Sequence, residues 1–205
     1  LMLQSVEGWL NKQGYKAETR GSYMTHLHAV FAYAVKRGYM HDNPVRKFDK
    51  PRRDRKAVSY LTPDEVERVM NAAVEHCPAL VPYFAIALFA GLRPSEIHGE
   101  KTDHAPLDWN CIILNKNRIK VTSAQDKIRV GRKVDISANL RRWLISYAKL
   151  RGPIPYTRAS FRKVIKESGI AYSKDVFRHT FGTYHWAMHR HEGETAIQLG
   201  DAITT

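Results

Sequence analysis

The stretch Gly91-Leu92-Arg93-Pro94-Ser95-Glu96-Ile97 decides how this 205-residue chain is interpreted. It follows residues 80–90, which are apolar on nearly every side and therefore predict a helix in the centre of a core. A glycine ends that helix, Arg93 stands at the turn, and a carboxylate comes three residues later. A guanidinium held in this way offers a rigid fork of donors to a phosphate, with Glu96 to orient it. The alternative is a helix-terminal salt bridge between the two side chains.

A second arginine lies in Asp175-Val176-Phe177-Arg178-His179-Thr180-Phe181, where Phe177 and Phe181 share the apolar stripe of a predicted helix. Between the two arginines the sequence turns to short β-prone runs, which we expect at 111–114, 119–122 and 133–136. Lys127 falls in a loop between two of these strands. Helical patterns resume after Ser137, Thr157 and Ser173. The predicted fold is mainly α with a small antiparallel β-sheet.

The first half of the chain shows two boundaries. Apolar residues recur at helical spacing from about 19 to 36, and Gly38 follows where a left-handed cap is wanted. A new unit opens at Thr62-Pro63-Asp64-Glu65, a pattern typical of a capping box. Between them stands a basic run, which we interpret as an interdomain linker; its cations are Arg46, Lys47, Lys50, Arg52, Arg53, Arg55 and Lys56.

The amino-acid composition limits the kinds of partner that this chain is expected to bind. Lys and Arg number 33 against 20 Asp and Glu, a formal net charge of +13, which favours a polyanion. The two cysteines, Cys77 and Cys111, have no Cys-x-x-Cys spacing, so a reducing cytoplasm fits better than a disulfide framework. The longest apolar stretch is interrupted by Pro82 and is shorter than a membrane span. We therefore expect a nucleic-acid partner and no membrane.

Taken in order, Gly-Leu-Arg-Pro-Ser-Glu-Ile, the hairpin lysine and Arg-His-Thr-Phe resemble the catalytic domain of the tyrosine recombinases, the phage integrase family. The resemblance runs from about Leu61 to the end, and residues 1 to about 45 resemble the later part of that family's helical, SAM-like core-binding domain. It implies three parts: a partial core-binding domain at 1–45, the linker at 46–60 and a catalytic domain at 61–205.

The resemblance also implies roles for individual residues. Arg93 and Arg178 match the two arginines that clamp the scissile phosphate, and Lys127 matches the lysine that protonates the leaving oxygen. Two preorganised guanidiniums stabilise the charge that spreads over the non-bridging oxygens during attack on a phosphodiester. Glu96 and His179 would orient these groups. The expected DNA contacts are the cations of the linker together with Arg129, Arg132 and Lys133.

Two positions depart from the family pattern. Asp175 stands where the family usually has a histidine, and Asp201 ends a Leu-Gly-Asp segment where histidine or tryptophan is usual. An ionised carboxylate accepts hydrogen bonds but donates none to a phosphate oxygen, so both would assist or orient. The family's tyrosine nucleophile follows this segment, and none of the ten tyrosines lies beyond Asp201. We therefore expect a sequence truncated at both ends.

The predicted function is site-specific DNA integration or recombination through a phosphotyrosyl intermediate, on double-stranded DNA and as a homotetramer. No metal and no nucleotide cofactor is expected. An alternative is a catalytically inactive DNA-binding remnant, and a less favoured one is an RNA-binding module, because the aromatics fall on core positions. The cations of the linker have an alternative interpretation, in which they form a solvated surface and do not contact DNA. His185 and His189 share a helical face, but a zinc site there lacks a third ligand of clear spacing.

Overall fold

The computed structural model describes residues 2–47, 58–99, 105–125 and 131–201, and the side chains of 2–5 and 7 are left out of the description. The chain divides into two compact units, Leu1–Ala57 and Val58–Thr205. Lys127 and Arg129 of the hairpin, and the linker cations Lys50, Arg52, Arg53, Arg55 and Lys56, lie outside the described residues.

The first unit consists of α1 (Met2–Lys12), α2 (Ala17–Lys36) and a 3₁₀ turn at Pro44–Lys47. The predicted cap at Gly38 is confirmed: φ is +76°, and the N–H of Tyr39 donates to the carbonyl of Ala34 at 2.9 Å. Asn43 is buried and holds the exit turn, because its side chain donates to the His28 carbonyl and accepts from the Val45 N–H. Helix α1 of this first unit was not predicted from the sequence.

The second unit contains seven helices and three strands among the residues described. The helices are α3 (Pro63–His76), α4 (Val81–Phe89), α5 (Pro94–His98), α6 (Ala138–Ile145), α7 (Arg158–Ser168), α8 (Val176–His189) and α9 (Glu192–Leu199). The strands are β1 (Ile112–Ile113), β2 (Arg118–Val121) and β3 (Arg132–Asp135). The expectation of a mainly α fold with a small antiparallel sheet is confirmed.

Helix α3 begins as its sequence predicts. The Thr62 hydroxyl accepts from the Glu65 N–H, and the Glu65 carboxylate accepts from the Thr62 N–H at 2.9 Å, which completes the capping box. The hydroxyls of Ser137 and Thr157 cap α6 and α7 by accepting from the N–H groups of Leu140 and Ser160, without the reciprocal bond of a capping box. Each of these side chains satisfies a backbone donor that has no partner inside its helix.

Helix α4 is the centre of the core. All but one of its residues are buried, and it packs against α3, α6 and α8. The ring of Phe84 stacks on Phe161 of α7 and meets Phe177 of α8 edge to face. Because α4 is held on every side, the turn that follows it, from Gly91 to Arg93, has a fixed position.

The sheet is a three-stranded antiparallel ladder in the order β1-β2-β3. Ile119 pairs with Ile112 on one side and Val134 on the other, and this stripe is buried against the core. The strand predicted over 111–114 is only Ile112–Ile113, because Leu114–Lys116 forms a 3₁₀ turn closed by Asn117 in the left-handed conformation. The sheet is therefore smaller than its β-prone sequence suggests.

Candidate functional site

The turn after α4 brings α8 close. Gly91 has φ +65°, and a Cβ placed on it would lie 2.4 Å from Cδ1 of Phe181. Glycine is therefore required here both for the backbone conformation and for the space. Arg93 comes two residues later, immediately before α5, so the core helix, α5 and α8 meet at this arginine.

Glu96 lies at the base of this site and is fully buried. Its Oε2 accepts from the backbone N–H of Arg93 at 2.7 Å, and its Oε1 accepts from the Arg93 guanidinium at 3.3 Å. Arg132 adds a two-pronged contact, from Nη1 to Oε1 at 2.7 Å and from Nη2 to Oε2 at 3.0 Å. A buried carboxylate with these four donors holds two guanidiniums in fixed orientations.

Arg178 approaches from α8. Its side chain is 8% exposed; Nη1 donates to the carbonyl of Gly91 at 2.9 Å, and Nη2 donates to Oδ1 of Asp201 at 2.7 Å. Burial lowers the pKa of Arg178 from its ordinary value, Arg93 lowers it further, and the carboxylates of Asp201 and Glu96 oppose these effects. The shift reflects a desolvated cation beside a second cation, which is the environment of an anion-binding site.

Asp201 connects the two arginines. The same Oδ1 atom that accepts from Arg178 also accepts from Nη2 of Arg93 at 2.6 Å. The Asp201 side chain is 48% exposed, whereas that of Arg93 is 20% exposed. One carboxylate oxygen therefore receives two charge-assisted hydrogen bonds at the open side of the site.

Helix α9 delivers Asp201 to this position. Gly200 has φ +68°, and a Cβ there would lie 2.7 Å from the guanidinium of Arg132. Arg132 Nε also donates to the Gln198 carbonyl at 3.3 Å. The Gln198 side chain donates to and accepts from Asp135 at the edge of β3. Through these contacts α9 is fastened to β3, the strand that follows residues 126–130 and therefore Lys127.

The structure brings together four of the sequence-predicted site residues, namely Arg93, Arg178, Glu96 and Asp201. Asp175 is half-buried at the start of α8 with φ +63°, and His179 is exposed on that helix. Arg132 was predicted as a DNA contact, and its guanidinium is buried on Glu96 with only 9% of the side chain exposed. Lys133 is exposed, as are Arg46 and Lys47 in the first unit.

The sequence interpretation missed two features. Arg132 and Glu96 are 36 residues apart in the sequence, and no local sequence pattern predicts that they pair. Lys120 lies opposite Lys133 on the exposed face of the sheet, although like charges directly across a ladder repel each other. The alternation of polar and apolar residues in 118–121 and 132–135 is the signal that, with the register, places these lysines together.

The imidazoles on α8 form a separate cluster. The rings of His185 and His189 lie 4.3 Å apart between centroids, and His185 Nδ1 is 2.9 Å from the Thr195 hydroxyl. Within the ranges described, no three His, Cys, Asp or Glu side chains converge to hold a metal ion. Across those same ranges, none of the helices combines the length and apolar character that a membrane span requires.

Comparison with known sequences gives two kinds of match. Residues 1–50 match the family model described as Phage integrase SAM-like domain. The putative defective protein IntQ of Escherichia coli (strain K12) is 27% identical over 122 residues, covering 60% of this chain and 30% of that protein. Tyrosine recombinase XerC of Vibrio parahaemolyticus serotype O3:K6 (strain RIMD 2210633) is 25% identical over 145 residues, covering 70% of this chain and 44% of that protein. The chain therefore spans less than half the length of either relative.

Solved structures share the fold. The Tn1549 transposon integrase in complex with a circular intermediate DNA superposes with a TM-score of 0.72 at 15% identity, covering 95% of this chain and 74% of that one. A lambda integrase tetramer bound to a Holliday junction gives 0.68 at 16% identity, with 98% and 61% covered. The architecture is thus that of integrase catalytic domains. Together with the sequence matches, it makes this chain similar to the tyrosine recombinase, or phage integrase, family.

Proposed function

We propose that this chain acts in site-specific DNA integration or recombination, with Arg93 and Arg178 binding the scissile phosphate. The observation that carries the proposal is the convergence of the two guanidiniums on one anionic oxygen, at 2.6 and 2.7 Å. A non-bridging phosphate oxygen offers the same charge and the same acceptor lone pairs as that carboxylate oxygen. Donors that are already in place stabilise the added charge of a phosphoryl transition state without reorganising.

The chemistry would proceed through a covalent intermediate. A tyrosine hydroxyl would attack phosphorus and give its proton to water, the bond from phosphorus to the 5′ oxygen would break, and Lys127 would give that oxygen a proton. The phosphotyrosyl bond keeps the energy of the phosphodiester, so rejoining requires no nucleotide.

Tyr184, on the same helix as Arg178, has another role. Its hydroxyl donates to the Leu61 carbonyl at 3.2 Å, and its ring meets that of Tyr60 edge to face. These contacts fasten α8 to the segment that leads into α3. We therefore assign Tyr184 to packing and not to nucleophilic attack.

The charge distribution supports double-stranded DNA as the substrate. The chain has a formal net charge of +13, and Lys120 faces Lys133 across an exposed ladder where a phosphate backbone would relieve their repulsion. The lambda integrase structure is a tetramer on a Holliday junction, and the Tn1549 integrase structure holds a circular intermediate DNA. We extend these states to this chain: a homotetramer that joins the DNA of a mobile element, with the linker cations along the backbone.

A second function, that of a DNA-binding remnant without catalysis, is favoured by one observation. The two positions where the family usually has proton donors hold the carboxylates of Asp175 and Asp201, and Asp201 already lies on both arginines. An ionised carboxylate at these positions donates no proton to a phosphate oxygen. Such a protein would keep duplex affinity and lack strand cleavage.

The deciding experiment uses the protein expressed from its whole coding sequence and compares it with Arg178→Ala and with Arg142→Ala, a control that removes an exposed cation from α6. Supercoiled plasmid is incubated with each protein, and covalent protein–DNA adducts are separated under denaturing conditions. A recombinase forms adducts, loses them in Arg178→Ala and keeps them in the control. Duplex binding without any adduct would favour the remnant. Preference for single-stranded RNA over duplex DNA in competition would contradict both.

A further inference from the structure

The position of Asp201 has a consequence for ligand binding that rests on the proposed phosphate site. Its Oδ1 accepts from Nη2 of Arg93 and Nη2 of Arg178, which are the donors that a phosphate oxygen would use. A phosphate and this carboxylate cannot both occupy that point, because two anionic oxygens would overlap and repel each other. We propose that Asp201 occupies the place of a phosphate oxygen in the DNA-free protein and thereby determines which anions the site admits.

Each arginine has a second anchor that is independent of Asp201. Arg93 is held by Glu96 through Nη1 and through its own backbone N–H, and Arg178 is held by the Gly91 carbonyl through Nη1 at 2.9 Å. The guanidiniums therefore keep their places when Asp201 leaves. This differs from a carboxylate whose purpose is to position its arginines, since removing such a group would let both side chains move.

Asp201 is also placed so that it can leave. Its side chain is 48% exposed, against 0% for Glu96, the other carboxylate of the site. It lies just past the C-terminal end of α9, so a change in its side-chain torsions moves the carboxylate into solvent without unpacking a helix. The buried carboxylate is thus the permanent counter-charge and the exposed one is the exchangeable one.

The charge of the site gives the exchange its selectivity. Among the described residues of the site, Arg93, Arg132 and Arg178 carry three positive charges and Glu96 and Asp201 two negative ones, a formal sum of 3 − 2 = +1. A small free anion gains only these few contacts and must displace Asp201 to make them. A phosphate within a duplex also brings neighbouring phosphates to other cations, and their binding offsets the displacement. Asp201 therefore excludes free phosphate and admits phosphate that belongs to DNA.

The test measures the binding of inorganic phosphate to the full chain by titration calorimetry. Asp201→Asn keeps the side-chain shape and removes the charge, and we expect it to bind phosphate about tenfold tighter than the wild type, the effect of one charged competitor. Asp201→Glu keeps the charge and should show no gain. Glu67→Gln removes an exposed carboxylate from α3 and controls for net charge. Asp201→Asn combined with Arg178→Ala should abolish the gain.

Equal or weaker phosphate binding by Asp201→Asn would overturn the inference, as would phosphate binding by neither protein. Circular dichroism of each variant, together with Asp201→Ser as a second neutral replacement, separates a binding effect from a folding defect. The proposed function is judged independently by the dependence of DNA cleavage on Arg178. Arg178-dependent cleavage with unchanged phosphate affinity in Asp201→Asn would remove the role of Asp201 alone.

Discussion

Arg132 and Glu96 form a two-pronged ion pair in which Nη1 meets Oε1 at 2.7 Å and Nη2 meets Oε2 at 3.0 Å. The pair joins the first turn of α5 to the start of β3, so it ties the arginine turn to the strand that follows the hairpin loop. Because Glu96 is fully buried and Arg132 nearly so, neither charge has water as a substitute partner. The two parts of the proposed active site therefore depend on one carboxylate.

Replacing Glu96 by Gln should destabilise the protein by about 3 kcal/mol, because it removes the buried charge that the guanidiniums of Arg93 and Arg132 both contact. Urea-induced unfolding of the full chain measures the change in the free energy of unfolding. Glu167→Gln, at an exposed position of α7, is the matched control and should stay within about 0.5 kcal/mol of the wild type. Equal stability of the two variants would contradict the structural role of Glu96.

Gly91→Ala tests the close approach of α8 to the arginine turn. Gly91 and Gly152 both have positive φ, +65° and +83°, but only Gly91 has Phe181 within contact distance of an added Cβ. Gly152→Ala should cost about 1 kcal/mol for the left-handed backbone. Gly91→Ala should cost a further 1–3 kcal/mol or so for overpacking. The urea midpoints of unfolding measure the stability of the two variants. Equal losses of stability would show that α8 moves away from the added methyl group without cost.

Features that depend on a few neighbouring residues were predictable from the sequence. The capping box at Thr62 and the left-handed cap at Gly38 are local hydrogen-bond patterns, and both are present. The central position of helix α4 was equally predictable, because a helix that is apolar on every side has no polar face to expose to solvent. Arg93 and Glu96 were found together since they share one helical turn.

Features that depend on distant residues were not predictable in this way. Arg132 looked like one more cation of a basic loop, and only the docking of β3 beside α5 shows that its partner is Glu96. The contact of Asp201 with both arginines requires α9, a helix that the sequence interpretation did not include. Tertiary packing decides both cases, because neither residue has a periodic or capping pattern that reveals its neighbour.

The His185 cluster predicts how stability changes with pH. Burial lowers the pKa of His185 below its ordinary value of about 6.5, and the adjacent His189 lowers it further, against the raising effects of Glu194 and Asp135. The unfolded chain therefore binds a proton at higher pH than the folded chain does. The stabilising contribution is complete above the unfolded pKa and is lost as pH falls through the folded one.

We expect His185→Gln to lose less stability than the wild type between pH 8 and pH 5, because it no longer carries this half-buried imidazole. Unfolding in urea at several pH values provides the comparison. His26→Gln, at an exposed position of α2, should keep the wild-type slope. A steeper decline in His185→Gln would reverse the assignment.

The linker makes a prediction about salt. If its cations contact phosphates, replacing Arg52, Arg53, Arg55 and Lys56 by Gln should reduce the slope of log affinity against log salt by about 0.9 for each lost contact. Fluorescence anisotropy with a labelled duplex at several salt concentrations gives the slope. A second variant that neutralises four exposed cations of the second unit controls for net charge; these are Arg142, Lys149, Arg151 and Lys166. An unchanged slope in the linker variant would contradict the proposed contact between the linker and the phosphates.

The lysine pair across the sheet separates a binding role from a folding role by the sign of two effects. Lys120 faces Lys133 in the ladder, whereas Arg118 and Asp135, two pairs further along on the same face, have opposite charges 3.4 Å apart. Neutralising both lysines to Gln should raise the free energy of unfolding by a few tenths of a kcal/mol, since the repulsion disappears. It should at the same time weaken duplex binding and flatten its salt dependence.

Arg118→Gln is the matched control for this face, because it removes a cation that is paired with Asp135. We expect this variant to lower the free energy of unfolding slightly. Urea unfolding and anisotropy on the same preparations measure the two quantities together. Loss of stability in the lysine variant would show that the pair serves the fold, while unchanged DNA affinity would exclude this face of the sheet from the contact. Opposite signs of the two effects would connect this face of the sheet to the proposed DNA partner, because an anion that lies against the two lysines relieves their repulsion.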